Sequence, residues 1–360
     1  MNKKEYTKEI AAPTLRDRWS DYPSSGLTPK RLSRILREAD AGYIHLQAEL
    51  FSEMEEKDAH LYSCLQTRKL SVSGCPWQIV PASGAGPAEI DAASFVSECI
   101  SGMDNFDESL TDLMDAVGKG FSVSEIIWEL DHERLVPRRL KKRPQKLFTF
   151  LSEDGIPTER PRLVTDDEPV CGIALPPSKF VVHVYRAGAD YPERGGLLRT
   201  LSWIYLFKNY AIKDWVSFCE VFGMPLRLGV YSPSASKDDR DALLEAVTSL
   251  GSDAAGVISE STRIEFIESA KRWDGGPYKD LVDTMNKEIS KAVLGQTLTT
   301  EAGHSGSLAA GLVHDGVRKD IIRADARSLA RTIYRDLLRP MTALNFGPDV
   351  KPPEFRFTTN

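Results

Sequence analysis

Cysteine is scarce in this chain, and the five present, Cys64, Cys75, Cys99, Cys171 and Cys219, are odd in number and widely scattered. No CxxC pair exists, which excludes a zinc or redox centre of that kind and leaves reduced, buried thiols of an intracellular protein as the expectation. No apolar run approaches the roughly 18 residues that a membrane-spanning helix needs. The opening MNKKEYTKEI has no apolar stretch behind its lysines, so no signal peptide is expected. A GxxxxGK[ST] phosphate cradle is missing, and Gly118-Lys119-Gly120 is too short to replace it, so it reads as a turn. The six histidines show neither HxH nor HxxxH spacing. His183 lies in an apolar strand pattern and is expected to be a satisfied core histidine. Gly303-His304-Ser305-Gly306-Ser307 ends in Ser where a nucleophile elbow requires Gly, and no strand precedes it. Without convergent groups, no catalytic residue, metal site or cofactor is expected.

What is present is ordinary for folded, soluble protein: 360 residues, 41% hydrophobic and 27% charged, about two domains by length. A net charge of −6 argues against a protein that grips nucleic acid over its whole surface, but not against basic residues sorted onto one face.

Residues 1–27 are polar and broken by Pro13, Pro23 and Gly26, and read as a loosely held arm. Thr28-Pro29 starts a helix to about Asp40, Tyr43–Lys57 is helix-periodic, and Asp58 caps a further helix to about Leu70. Trp77–Val80 reads as a strand, with helices near Pro87–Ile100 and Glu108–Val117. From Phe121 to Tyr185 short β-branched and aromatic runs take over (Phe121–Leu130, Leu147–Leu151, Phe180–Tyr185), giving an α+β body with a β-rich second half.

The segment from Leu198 to Phe222 has 16 of 25 residues apolar, on more than one helical face, so it must be covered from more than one side. Next come a strand with Leu226, Leu228 and Val230, a helix opened by Ser236 and Asp239, and strands at Ala255–Ser259 and Thr262–Ile267, a β-α-β-β insert. A second long helix is expected from Pro277 to Gly295. A Gly/Ser/Thr/Ala loop follows from Gln296 to Gly311, then a third helix from about Leu312 to Arg339, ended by Pro340.

Two basic features stand out. Arg138, Arg139, Lys141, Lys142, Arg143 and Lys146 cluster within a stretch without acids, as a solvated patch or a polyanion contact. On the third long helix Lys319, Arg323, Arg327, Arg331, Arg335 and Arg339 recur every four residues, with Asp315, Asp320, Asp325 and Asp336 as possible intrahelical partners. Such a row is either a salt-bridged face or one aimed at DNA or a neighbouring subunit. Asp166-Asp167-Glu168 reads as an exposed turn, with a metal or acid/base role as the alternative.

Two long helices flanking a small insert, then a flexible loop and a charged helix, is an order similar to the stem, clip, stem, tunnel loop and wing of tailed-phage portal proteins. The segments GLLRTLSWIYLFKNYAIKDWVSFCEVFGMPLRLGVY, GFSVSEIIWEL and ISKAVLGQTLTTEAGHSGSLAAGLVHDGVRKDIIRADARSLARTIYRDLLRPM resemble the portal protein of Mu-like phages and prophages, over residues 45–347. The resemblance implies a portal fold: an arm (1–27), an α/β wing (28–197), stem helices (198–223 and 276–295), a clip (224–275), a tunnel loop (296–311), a long wing helix (312–345) and the start of a carboxy-terminal crown (346–360). Portals of this family usually continue well past the position of Asn360, so the crown is expected to be largely absent from this chain.

The same resemblance implies a non-enzymatic homo-oligomer, usually a dodecamer, at one capsid vertex of the virion and in the host cytoplasm during assembly. Its partners would be the terminase large subunit, head–tail adaptor proteins, major capsid and scaffold proteins, and double-stranded DNA held weakly and without regard to sequence, with no membrane. Expected tunnel-loop residues are Gln296, Thr297, Leu298, Thr299, Thr300, Glu301, His304, Ser305 and Ser307. Lys287, Lys291, Lys319, Arg323, Arg327 and Arg331 are candidates for channel, DNA or inter-subunit contacts, and Arg227, Lys237 and Arg240 for clip contacts. The rival readings are a non-ring head adaptor or scaffold and a metal-dependent nuclease using Asp166, Asp167 and Glu168.

Overall fold

Thr28 opens a helix as its sequence position implies: its side chain accepts from the Arg31 N–H, and Pro29 sits where a missing N–H costs nothing. The computed structural model describes residues 3–11, 24–186, 191–222, 227–249, 255–260, 276–297 and 308–358. It divides into a larger unit of residues 1–206 and 286–360 and a smaller one of residues 207–285.

In the larger unit a single turn, α1 (Lys3–Tyr6), precedes α2 (Pro29–Asp40), α3 (His45–Lys57) and α4 (Ala59–Ser73). Leu32, Ile35, Leu36 and Ala39 recur on one face of α2 and are buried, and Asp58 caps α4 by accepting from the His60 and Leu61 N–H groups. Then come β1 (Trp77–Val80), α5 (Pro87–Ser101), α6 (Phe106–Leu113) and α7 (Ala116–Lys119). At the end of α7, Gly120 has φ +94, and an added Cβ would stand 2.1 Å from the Pro192 carbonyl oxygen. Gly118 and Lys119 therefore end α7, and Gly120 makes the tight turn out of it.

One antiparallel sheet has the order β3-β2-β7, from β2 (Phe121–Asp131), β3 (Arg134–Arg143) and β7 (Phe180–Val184). A second has the order β4-β5-β6, from β4 (Phe148–Leu151), β5 (Pro157–Leu163) and β6 (Ile173–Ala174). The helix α8 (Leu197–Phe222) runs on into the smaller unit, where β8 (Arg227–Tyr231) pairs in parallel with β9 (Ala255–Ser259) across α9 (Lys237–Ser249). Ser236 and Asp239 cap α9 reciprocally, Asp239 N–H to Ser236 Oγ at 3.2 Å and Ser236 N–H to Asp239 Oδ2 at 3.1 Å. The expected second strand at Thr262–Ile267 lies outside the described residues.

The chain re-enters the larger unit along α10 (Gly276–Leu294) and continues as α11 (Leu308–Ile333). Pro340 does not end this helix. A π-turn over Tyr334–Leu338 intervenes, and α12 (Arg339–Phe346) carries on. The wider turn moves the carbonyl that a proline ring would strike in a regular helix and needs no N–H at that position. The last strand, β10 (Glu354–Phe357), pairs antiparallel with β1, and Phe355 stacks on Trp77 at 5.5 Å. Residues expected to begin a crown thus help close the core of the larger unit.

The arm is not loose over residues 3–11. Glu125, fully buried on β2, accepts from the backbone N–H groups of Ile10 and Ala11, and Lys179 Nζ donates to the Tyr6 and Lys8 carbonyls. Hydrogen bonds from Lys141 and Arg143 hold the Glu9 carboxyl down to about 2. The cysteines also depart from expectation, since Cys64 alone is buried and Cys219 is exposed.

His183 is a buried core histidine as expected, Nδ1 at 2.9 Å from Thr332 Oγ1. Burial, reinforced by the Arg335 charge, lowers its pKa from 6.5 to about 4. An unfolded chain binds this proton at a higher pH than the folded one, so its contribution is full above the unfolded value and is lost as pH falls toward 4. We expect urea denaturation to lose about 3 kcal/mol from this residue over that window. A His183→Gln variant should lack that slope; an unchanged pH dependence would remove the assignment.

Candidate functional site

The first part of α8 and the last part of α10 meet α4 in one core of the larger unit. Leu198, Leu201, Tyr205 and Leu206 of α8 pack with Ile289, Val293 and Leu294 of α10 and with Leu61, Cys64 and Leu65 of α4. Polar groups set into this core fix its register. His60 Nε2 lies 2.8 Å from Ser290 Oγ. Arg68 grips Asp325 of α11 with two bonds of 2.8 and 3.1 Å, donates to the Val293 carbonyl at 2.8 Å, and donates to Tyr185 Oη at 3.0 Å. Burial works against the Arg68 charge, but Asp325 and Tyr185 outweigh it and raise its pKa. One side chain thus ties α4, the end of α10, α11 and the residue after β7.

Gly295 ends α10 with φ +71, and its N–H reaches the Lys291 carbonyl. A Cβ there would meet Val317 and Ile321 of α11, each at 2.9 Å, so glycine allows the two helices their close approach. Gln296 is buried and Thr297 half-buried, so the first two expected loop residues are anchored instead. At the other end helix begins at Leu308, four residues before the expected Leu312. Leu298, Thr299, Thr300, Glu301, His304, Ser305 and Ser307 lie outside the described residues.

In the smaller unit the second half of α8 presents apolar surface: Phe207 is 45% exposed, Ile212 38% and Val216 52%. Lys237 and Arg240 are exposed on α9, and Arg240 also covers the Tyr231 ring at 4.9 Å. The side chain of Arg227 lies outside the described residues, although its backbone is in β8.

Among the described residues, the basic row on α11 is only partly paired along the helix. Asp325 turns inward to Arg68, and Asp336 accepts the Val182 N–H and pairs with Arg335. Arg323 reaches Asp320 at 3.8 Å. Lys319, Arg327 and Arg331 are exposed, and among the described residues no ion pair involves Arg327 or Arg331. On α10 Lys287 is exposed, and Lys291 pairs with Glu288 at 2.6 Å.

The basic cluster at 138–146 is largely consumed within the chain, which leaves little for a polyanion. It forms β3 and the turn after it, where Arg143 is buried against Glu125 and Glu9, Lys141 pairs with Glu9, Lys142 with Asp112, and Lys146 with Glu49. Asp166, Asp167 and Glu168 sit on an exposed bend, and among the described residues no group of three His, Cys, Asp or Glu is placed to hold a metal.

The Arg68–Asp325 clamp escaped the sequence reading. Its signal was a charged residue at a core position, since Arg68 follows Leu61 and Leu65 and precedes Val72 on the buried face of α4.

A family model described as the portal protein of Mu bacteriophage matches residues 48–360. The chain is 38% identical over 328 residues to the portal protein of Escherichia phage Mu, covering 91% of this chain and 63% of that protein. It is also 38% identical over 346 residues to the Mu-like prophage FluMu protein gp29 of Haemophilus influenzae (94% and 65%). It therefore spans less than two thirds of either relative. A chain from the neck of an empty gene transfer agent particle superposes with a TM-score of 0.52 at 10% identity, over 92% of this chain and 84% of that one.

Proposed function

Since this chain belongs to the family of the portal protein of Mu bacteriophage, we propose that it assembles into a ring-shaped DNA channel at the capsid vertex, serving genome packaging, head–tail joining and DNA ejection. The structural observation that carries the ring is the apolar surface of α8 beyond residue 206, which neighbouring copies of the same helix would cover. Residues 198–223 and 276–295 act as stem, 224–275 as clip, 296–311 as tunnel loop and 312–345 as wing helix.

The protein is a conduit and not an enzyme; a separate terminase supplies the motor. A net charge of −6 suits a wall along which DNA slides, because holding about six phosphates at once would impose strong, salt-dependent binding. Twelve copies is the family expectation, with terminase large subunit, head–tail adaptors, capsid and scaffold proteins as partners. The site of action is the virion vertex, reached by assembly in the host cytoplasm.

Purified chain is expected to sediment far above its monomer mass of 40.1 kDa and to appear in negative stain as a turbine with a central hole. A strictly monomeric species at all concentrations would overturn the ring. The clip reading predicts that replacing Arg227, Lys237 and Arg240 together weakens terminase or adaptor capture about tenfold or more while rings persist, as rim charges act mainly on association. Equal loss of both would return this segment to the main body.

A further inference from the structure

We propose that successive copies in the ring meet through two oppositely charged flanks of the larger unit, the outer face of α2 on one copy and the acidic edge around α6 on the next. This inference rests on the ring reading above and adds which surfaces close it. In the helical layer α2 packs on α3, α3 on α4 and α4 on α6, so α2 and α6 stand at opposite ends of that series.

The outer face of α2 carries Lys30, Arg34 and Arg37 at helical spacing with Arg31 beside them, against one acid, Glu38, 3.7 Å from Arg34. An open hollow of about 910 Å3 adjoins this face, lined by Lys30, Arg31, Arg34, Arg37 and Tyr43. The other flank has the opposite composition: residues 82–118 hold eight carboxylates and no lysine or arginine. Some of these are used internally, Asp115 and Asp112 by lysines, Glu89 by the Gly86 N–H and Asp107 by the Trp77 indole. Asp91, Glu98, Asp104 and Glu108 are exposed, and among the described residues none of them has an ion pair.

A ring needs a heterologous contact, one patch on each side of the subunit, fitting a different patch on the neighbour. Two surfaces of opposite predominant sign at opposite ends of one helical layer meet that requirement. DNA would occupy only the basic face and leave the acidic edge without a role.

The test uses two charge-reversed forms of the full chain. The first carries Arg34→Glu and Arg37→Glu, and the second carries Asp104→Lys and Glu108→Lys. Each alone would set like charges against each other, so the ring fraction by mass photometry should fall about tenfold or more. Mixed in equal amounts, the two should restore rings of alternating composition, because each then offers the sign that the other lacks. Circular dichroism establishes that both forms are folded. Should either fail to fold, the milder Arg34→Gln with Arg37→Gln takes its place, and its rings should come apart at lower salt than wild type.

Rings from either reversed form alone at wild-type yield would overturn the proposal, as would a mixture of folded forms that stays unassembled. Wild-type salt resistance of the milder form would do the same. Rings that persist but no longer retain a double-stranded DNA fragment on a filter would assign α2 to DNA instead. Absence of rings in wild type itself would count against the ring reading, separately from this one.

Discussion

Asp325→Ala is expected to destabilise the larger unit by about 3–5 kcal/mol, the usual cost of stranding one member of a buried ion pair. Arg68 and Asp325 are 6% and 5% exposed, so water cannot replace the lost carboxylate without opening the core. A guanidinium does not shed its proton to escape burial, so the charge stays. The bond from Arg68 to the Val293 carbonyl would weaken with it, and the carboxyl end of α10 would lose its fixed register against α11. In a body of this size the melting temperature should drop by on the order of 10 °C. Replacing both partners with apolar residues of similar volume, Arg68→Met with Asp325→Leu, should recover most of that loss while removing the bond to Val293. Thermal unfolding of the three proteins checks this, and a loss below about 1 kcal/mol in the single variant would show that the pair does not clamp the helices.

Deleting His304–Ser307 is expected to leave rings intact and yet abolish packaging or retention of a full genome. The helices on either side are anchored independently of the loop: Gly295 seats α10 against Val317 and Ile321, Gln296 is buried, and Asp325 fixes α11. Assembly should therefore not depend on the loop. The segment from residue 298 to 307 has Leu298 as its one large apolar residue, so its sequence offers little apolar area to bury. It has hydroxyls and the single acid Glu301 but no lysine or arginine, so its contact with DNA should be weak and sequence-blind. Four fewer residues shorten its reach toward a channel by up to about 13 Å. Negative stain reads the rings, and nuclease-protected DNA per particle reads packaging. Wild-type packaging by the deletion mutant would end the tunnel-loop reading.

Helices were legible where local rules act alone. The Thr28-Pro29 start, the Asp58 cap, the Ser236/Asp239 box and the Gly295 stop each act within one turn, and all four stand where their spacing implied. The excess apolar surface of α8 was also visible, because composition over 25 residues does not depend on what covers it. Strands fared less well. A bulge and the arginines and lysines of β3 hide its pattern, in which Leu135, Pro137 and Leu140 are buried on one face and Arg143 on the other, and β10 acquires its meaning only by pairing with β1, some 275 residues earlier in sequence.

Order, local caps and hydrophobic patterning were thus determined by the sequence itself, and with them the long helices, the first three elements of the expected β-α-β-β insert and the family resemblance. The tertiary structure alone decided which charges are spent and which remain. Asp325, Glu125 and Arg143 look on paper like members of surface rows, yet they lie in the core because partners far away in the chain offset the cost of burying them. Arg327 and Arg331 look on paper like members of a paired ladder, yet no carboxylate stands three or four residues from either, and the nearest, Asp325 and Asp336, are held by Arg68 and Arg335. Pairing between distant residues depends on three-dimensional proximity, which no periodicity along a single chain encodes.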